Sequence, residues 1–190
     1  MNRTLAALMM TVAALIVTPA LAQTGQGPSN VVSPQPLPIN DSRPRVFLGG
    51  SIDMGGAPDW QAAMTAALAD MDVVILNPRR PDWNPNWRPE AHEPGFRRQV
   101  EWGLAALEFA DVIVMYFPPG TQSPISLLEM GLHARGEKLI VLAPEGFWRK
   151  GNVDITAQAY GVKQVQSLPE LTAAVREALN EAAAKGRFAR

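Results

Sequence analysis

The chain of 190 residues contains no cysteine and only two histidines. The absence of cysteine excludes disulfide bonds, thiolate catalysis and cysteine-based metal sites. His92 and His133 have no partner at metal-ligand spacing, so we expect neither a metal site nor another cofactor. Lys and Arg total 17 against 18 Asp and Glu, which gives a net charge of −1. This balance does not indicate a nucleic-acid partner.

The first residues have the pattern of a signal peptide. Arg3 gives a basic start, residues 5–17 are apolar and uncharged, and small residues precede Gln23. We therefore predict a cleavable signal peptide over 1–22 and export to the periplasm. The alternative is an uncleaved membrane anchor, because the uncharged stretch is barely long enough to span a bilayer.

The next segment is rich in proline. Residues 23–44 contain five prolines, with no helical or strand period. Such a composition predicts an extended, mobile linker. A single folded domain would then cover residues 45–190, which is an ordinary domain size.

Short apolar runs alternate with helical patterns along that domain. The runs that predict strands lie at 45–48, 73–76, 111–117, 138–142 and 162–165. Alternation of this kind predicts an α/β fold with a parallel sheet covered on both faces. We expect a flavodoxin-like, doubly wound sheet of about five strands, with polar residues gathered where the strands end.

The segment after the third predicted strand carries the main functional candidate. Ser123 is a suitable N-cap for a helix. Ile125, Leu128 and Leu132 then share one helical face, and Glu129 falls on that same face. A carboxylate there is costly to desolvate unless something pairs with it or uses it. The alternative is a glutamate that reaches water or pairs with a basic residue.

Other polar and aromatic residues follow the remaining strands. Beside Glu129, the candidates are Gly50, Ser51, Asp53, Asn77, Arg79, Arg80, Trp83, Glu101, Ser123, Trp148 and Asn152. Glycine-rich turns let backbone N–H groups approach an anion, paired arginines bind phosphate or carboxylate, and tryptophan stacks on planar bases. The structural alternatives are a plain tight turn, a solvated basic loop and a solvated helical glutamate.

Four segments taken together resemble the nucleoside 2-deoxyribosyltransferase-like family over about residues 45–160. They are Gly49–Asp53, Asn77–Arg80, Ser123–Glu129 and Phe147–Val153. The resemblance implies a flavodoxin-like fold and homo-oligomers whose sites borrow residues from a neighbour. It also implies cleavage of the N-glycosidic bond between a base and a ribose or deoxyribose.

The resemblance implies that Glu129 is the nucleophile, which forms a covalent glycosyl-enzyme. Ser123 stands where nucleoside transferases commonly carry an aspartate that holds the sugar. Related deoxynucleotide N-hydrolases have serine there, near a 5′-phosphate. With Ser51 and the Arg79–Arg80 pair, Ser123 therefore favours a phosphorylated substrate.

The resemblance also marks a departure at the acid that handles the leaving base. The family often has a carboxylate at the position of Gly103. Glu101 is the substitute candidate, although two residues turn a helix by about 200°. If no carboxylate takes this role, we expect weak or altered catalytic activity.

The leading hypothesis is an exported enzyme that acts on a small-molecule nucleoside or nucleotide. Asp53 and Ser51 would bind sugar or phosphate, and Trp83 or Trp148 would hold the base. Neither a nucleic acid nor a membrane is an expected partner, unless the leader is uncleaved. The alternatives are a non-catalytic nucleotide-binding module and an NAD-type N-glycohydrolase, and the choice between transferase and hydrolase stays open.

Overall fold

A computed structural model describes residues 27–53 and 56–186, so the predicted signal peptide lies outside the described residues. The described chain forms six strands and five helices. The strands are β1 (Ser29–Val32), β2 (Arg45–Gly50), β3 (Val74–Asn77), β4 (Val112–Tyr116), β5 (Leu139–Leu142) and β6 (Lys163–Val165). The helices are α1 (Trp60–Ala67), α2 (Pro94–Phe109), α3 (Pro124–His133), α4 (Lys150–Tyr160) and α5 (Leu168–Lys185).

The strands form one parallel sheet in the order β1-β3-β2-β4-β5-β6. Without β1, this is the flavodoxin-like order that was expected. One face is covered by α2, α3 and α4, which contribute Trp102, Met130 and Val153 to its core. The other face is covered by α1 and α5, which contribute Met64 and Val175. The predicted doubly wound α/β fold is confirmed, with six strands rather than five.

The strand sequences explain why both faces are covered. All four residues of β3 and of β5 are buried, as are the six of β2. Apolar runs without alternation cannot leave one face in water. Within the described ranges, no helix is both long and apolar enough to cross a membrane.

The predicted linker over 23–44 was wrong for its described part. Ser29–Val32 is the edge strand β1, which pairs with β3 from Ser29↔Val74 to Val32↔Asn77. Val31 and Leu37 pack against the core beneath α2. This strand is difficult to predict from the sequence, because it is only four residues long and lies among prolines. Its two apolar residues are also flanked by turn residues. The folded domain therefore includes residues before 45.

Helix α3 packs with a different side than expected. Its buried residues are Ser126, Met130 and His133. The apolar residues that share one helical face are exposed instead. The exposed fractions of Ile125, Leu128 and Leu132 are 63%, 62% and 60%. The helical spacing was therefore correct, but the apolar stripe faces away from the sheet of its own chain.

Candidate functional site

The ends of β2 and β4 meet at the carboxyl edge of the sheet. Gly50 has a φ of +114°, and a Cβ at this position would fall on the backbone of Tyr116. The Ser51 amide donates to the Tyr116 carbonyl at 3.0 Å. The Ser126 hydroxyl donates to the Gly50 carbonyl at 2.8 Å, which ties the first turn of α3 to β2. Glycine is therefore required at Gly50 by close approach, and the anion-binding role of the turn that follows stays a prediction.

Three hydroxyl groups cluster beside this strand end. The Ser51 hydroxyl lies 2.7 Å from that of Thr121, and it also contacts the Ser123 hydroxyl. Thr121 in turn donates to the Pro118 carbonyl at 2.8 Å. Ser51 and Thr121 are buried, whereas Ser123 is half-buried. The cluster therefore presents Ser123 as its outer member.

Ser123 was predicted to cap α3, and this expectation was wrong. Its φ is 50° and its ψ 45°, and its side chain makes no capping hydrogen bond. The left-handed conformation turns the hydroxyl toward Ser51 instead of toward the helix amides. Thr121, which sequence reasoning passed over as part of a turn, is the residue that completes the cluster.

Glu129 lies half-buried in the second turn of α3, six residues after Ser123. Desolvation raises the pKa of its carboxyl group from 4.5 to about 7. Among the described residues, no side chain or backbone group donates a hydrogen bond to it or forms an ion pair with it. A Cβ placed on Gly103 of α2 would lie 4.0 Å from Glu129 Oε1 and close to nothing else. Glu129 therefore faces α2 across a small unfilled space.

Glu101 does not join Glu129. It is exposed, and its carboxylate accepts a 2.7 Å hydrogen bond from Arg97 one helical turn away. Because Gly103 faces Glu129, a residue two positions earlier on the same helix points to the opposite side. The proposed substitution of Glu101 for the missing acid is therefore not supported by its placement.

Side-chain contacts fix three predicted site residues where β3 ends, namely Asn77, Arg79 and Arg80. Asn77 Oδ1 accepts from the Arg79 amide at 2.9 Å, which shapes the turn. The Arg79 guanidinium donates to the carbonyls of Ala57 and Pro58 at 3.1 and 3.3 Å, so it braces the start of α1. Arg79 Nε also lies 3.7 Å from the Asp59 carboxylate, and the ligand contact of Arg79 stays a prediction.

Arg80 belongs to a cluster with the loop aromatics. It pairs with Asp82 through two hydrogen bonds of 2.8 and 2.7 Å. Its guanidinium also lies 5.2 Å from the centre of the Trp87 ring. Trp83 contacts Trp87 edge to face at 5.2 Å. Both arginines and both tryptophans therefore have partners within their own loop or its neighbours.

Trp148 lies beside the start of α3. Its indole N–H donates to the Gln122 carbonyl at 2.9 Å. The ring is 54% exposed, and the Arg149 guanidinium stacks on it at 4.1 Å. Asn152 is exposed on the first turn of α4, and Asp53 is exposed with a φ of 49°. These residues border the same edge of the sheet, but Asp53 and Asn152 make no contact with the hydroxyl cluster.

A wide cleft of about 1170 Å³ lies at the opposite, amino edge of the sheet. Several of its charged residues are paired with one another, for example Arg45 with Asp111 at 2.8 Å and Lys163 with Glu177 at 2.7 Å. In the described ranges, no three His, Asp or Glu side chains are grouped so as to hold a metal ion.

The comparisons with known proteins agree on fold and family. A crystal structure of a conserved protein from Enterococcus faecalis V583 superposes with a TM-score of 0.51 at 10% identity, over 74% of this chain and 99% of that one. At this identity the likeness shows the fold alone. No curated protein matches the chain. The family model described as nucleoside 2-deoxyribosyltransferase like matches residues 43–147, more than half of the 190 residues. The chain therefore belongs to the nucleoside 2-deoxyribosyltransferase-like family.

Proposed function

We propose that this protein cleaves the N-glycosidic bond of a nucleoside or nucleotide through a covalent intermediate on Glu129. The observation that carries the proposal is the position of Glu129. It is a half-buried carboxyl group with no partner among the described residues, beside an open space at Gly103. Family membership supports the reaction class.

In the proposed reaction, a Glu129 oxygen attacks the anomeric carbon of the sugar. The bond between that carbon and the base breaks, and its electron pair leaves with the base, which takes up a proton. Water, which gives up a proton, or a second base then attacks the same carbon. The bond between that carbon and the Glu129 oxygen breaks, which frees the carboxylate and releases the sugar product. The attacking carboxyl group must be ionised. With a pKa of about 7, roughly half of Glu129 is ionised at neutral pH.

The hydroxyl cluster is the proposed subsite for the sugar or its 5′-phosphate. Ser123 is its outermost member, six residues before Glu129, and Ser51 and Thr121 hold it in place. Hydroxyl groups donate to phosphate oxygens and accept from sugar hydroxyls equally well. Arg80 would bind a phosphate only after breaking its hydrogen bonds to Asp82. The proposed subsite therefore depends more on the hydroxyl cluster than on the arginines.

Trp148 is the proposed platform for the base. Its half-exposed ring is fixed through Gln122, one residue before Ser123. A ring held in this way loses little conformational freedom when a base stacks on it. The Arg149 guanidinium covers one face of the Trp148 ring, and Trp148 is still 54% exposed, so a base would stack on the other face. Trp83 contacts Trp87 edge to face and is the second candidate.

A second candidate function is nucleotide binding without turnover. Gly103 offers no carboxylate beside Glu129, and Glu101 points away from it. Without an acid, a poor leaving group would depart slowly. The placement of these two residues is the observation that favours this alternative.

We also propose that the protein is a homo-oligomer through the face formed by α2 and α3. Ile125, Leu128 and Leu132 on α3 are exposed, and so are Val100 and Leu104 on α2. An apolar surface of this kind is characteristic of an interaction site. A second copy is the proposed occupant, because the stripe borders Glu129 and the carboxyl group has no described partner in its own chain. Export through the predicted leader over 1–22 is likewise a proposal.

Incubation of the purified protein with deoxynucleosides, ribonucleosides, their 5′-monophosphates and NAD tests the reaction, with and without an acceptor base. We expect release of free base that is abolished in Glu129→Gln, with a preference for monophosphates. Exchange into the acceptor would identify a transferase. Nucleotide binding without any release would establish the binding module instead, and release that persists in Glu129→Gln would overturn the role of Glu129.

A further inference from the structure

A turn near the amino terminus contacts helix α2 from outside the part of the chain that matches the family. This turn, residues 33–37, follows β1, whereas the family match begins at residue 43. It continues the sheet for one more residue, because the Ser33 amide donates to the Asn77 carbonyl at 3.0 Å. We refer to residues 33–37 as the amino-terminal turn.

Gln99 of α2 connects this turn to the loop after β3. Its side-chain oxygen accepts a 2.6 Å hydrogen bond from the Ser33 hydroxyl, and its side-chain nitrogen donates to the Pro78 carbonyl at 3.2 Å. Ser33 is only 2% exposed. Buried polar groups lose water on folding, so each depends on the partner that replaces it. The side-chain oxygen and nitrogen of Gln99 therefore connect three segments, which are the amino-terminal turn, α2 and the loop after β3.

Trp102 makes the second connection, one turn along the same helix. Its indole N–H donates to the Gln35 carbonyl at 2.7 Å, and the residue is 8% exposed. The next residue is Gly103, which faces Glu129. Leu37 adds an apolar contact to the core beneath α2. The amino-terminal turn thus contacts the stretch of α2 that borders the carboxyl group.

We infer that the amino-terminal turn is a brace that sets the position of α2 against Glu129, with Ser33, Gln99 and Trp102 as positioning residues. Gln99 lies one turn before Gly103, so the turn contacts α2 on nearly the same side as the one that faces Glu129. If the turn releases α2, the helix has fewer constraints against moving away from Glu129, and water gains access to the carboxyl group. The inference rests on the proposed function only in taking Glu129 as the reacting group.

The test measures the ionisation of Glu129 without requiring turnover. Protein labelled with carbon-13 at the glutamate side-chain carboxyl carbon is titrated by NMR, and Glu129→Gln assigns the signal. Ser33→Ala, Gln99→Met and the double variant are compared with the unchanged protein. Gln158→Met is the matched control, because Gln158 is an exposed glutamine on α4. Thermal unfolding shows that each variant is folded.

We expect Ser33→Ala and Gln99→Met to lower the Glu129 midpoint toward the ordinary glutamate range, by about half a pH unit or more. The double variant should shift it no further than the larger single effect, because both changes break one connection. Gln158→Met should leave the midpoint unchanged. If Gln99→Met does not fold, Ser33→Ala still tests the inference, because it removes only a single hydroxyl group.

An unchanged midpoint in folded Ser33→Ala overturns the inference. A midpoint in the ordinary range in the unchanged protein overturns it as well, since α2 would then not shield the carboxyl group. Base release is assayed separately. Its absence would count against the proposed function and leave the result of the titration standing.

Discussion

Gly103 on α2 faces Glu129 on α3, so that a Cβ added at Gly103 would lie 4.0 Å from Glu129 Oε1. The absence of a side chain there leaves space beside the carboxyl group. Among the residues that the structure describes, it also leaves Glu129 without a neighbouring carboxylate, and the raised pKa of about 7 comes from desolvation. This relationship connects the sequence departure at Gly103 to the chemistry proposed for Glu129.

Gly103→Ala should fold and change the site. A methyl group at 4.0 Å is in ordinary contact, and alanine in a helix stabilises the protein by about 0.5–1 kcal/mol over glycine. The methyl also displaces water from Glu129, so the pKa should rise further. Gly131→Ala on α3, where a Cβ meets nothing within 4 Å, should stabilise the helix alone. Thermal unfolding and a pH titration of both variants separate the two effects, and identical titrations would refute the prediction.

The free energy of unfolding should depend on pH through Glu129. Its folded pKa of about 7 exceeds the ordinary 4.5, so this group favours folding below the lower value and loses that contribution as pH rises through 7. Glu129→Gln should therefore stabilise the protein at pH 8–9 by about 3 kcal/mol and change little near pH 4. Urea unfolding at both pH values measures this. A gain that is equal at both would mean that burial does not raise the pKa.

Base release, if it occurs, should increase with pH through neutrality. The nucleophile must be ionised, and the pKa of Glu129 is about 7. We expect kcat/KM to rise about tenfold per pH unit below this value and to level off above it. The profile should be measured with saturating and with limiting substrate. A rate that is constant between pH 5 and 8 would show that another group, or an already ionised Glu129, controls the reaction.

Glu101→Gln should leave base release intact. Its carboxylate is exposed and bonded to Arg97, and exposed pairs one turn apart contribute about 0.5 kcal/mol or less. Activity and thermal unfolding should therefore match those of the unchanged protein. A large loss of kcat in a normally folded variant would show that Glu101 takes part in the reaction, which would require α2 to rotate.

Gly50→Ala should be strongly destabilising. The residue has a φ of +114°, and its Cβ would fall on the Tyr116 backbone. Strain and overlap together should cost about 3 kcal/mol or more. Gly120→Ala is the matched control, because its φ is +79° but a Cβ meets nothing within 4 Å, so only about 1 kcal/mol of strain remains. Equal losses in the two variants would show that the close approach to β4 is unimportant.

Lysine at Ile125 and Leu128 should separate the proposed oligomer. A charge within a buried apolar contact is costly, whereas both side chains are exposed in the single chain. We expect the mass from light scattering to fall to that of one chain while thermal unfolding stays cooperative. Leu168→Lys on α5, also an exposed leucine, should leave the mass unchanged. A protein that is monomeric before substitution would refute the proposal.

The order of strands and helices from residue 45 onward could be predicted because each element carries its own local pattern. The apolar runs of β3 and β5 and the helical period of α5 are such patterns. Strand β1 could not, since it is short, lies among prolines and is stabilised by pairing with β3 rather than by its own residues.

The candidate site divides in the same way. The motif around Glu129 and its place after β4 could be read from the chain, because parallel strands bring their carboxyl ends to one edge. The contacts of Ser123, Thr121 and Ser51 could not, because a left-handed backbone at Ser123 sends its hydroxyl to another strand. Likewise, nothing local distinguishes Glu129, whose carboxyl group has no partner in the described part of the chain, from Glu101, which is paired with Arg97.

The sequence by itself determined the family and the α/β class, and it indicated the residue that we propose as the nucleophile. Each of these depends on residue types and on spacings within one element. Tertiary structure alone decided which face of α3 meets the sheet and that Gly103 lies against Glu129. It also decided that Gln99 connects Ser33 with Pro78. The physical reason is that burial and hydrogen-bond partners are properties of pairs of elements, and the partners here are separated by many residues along the chain.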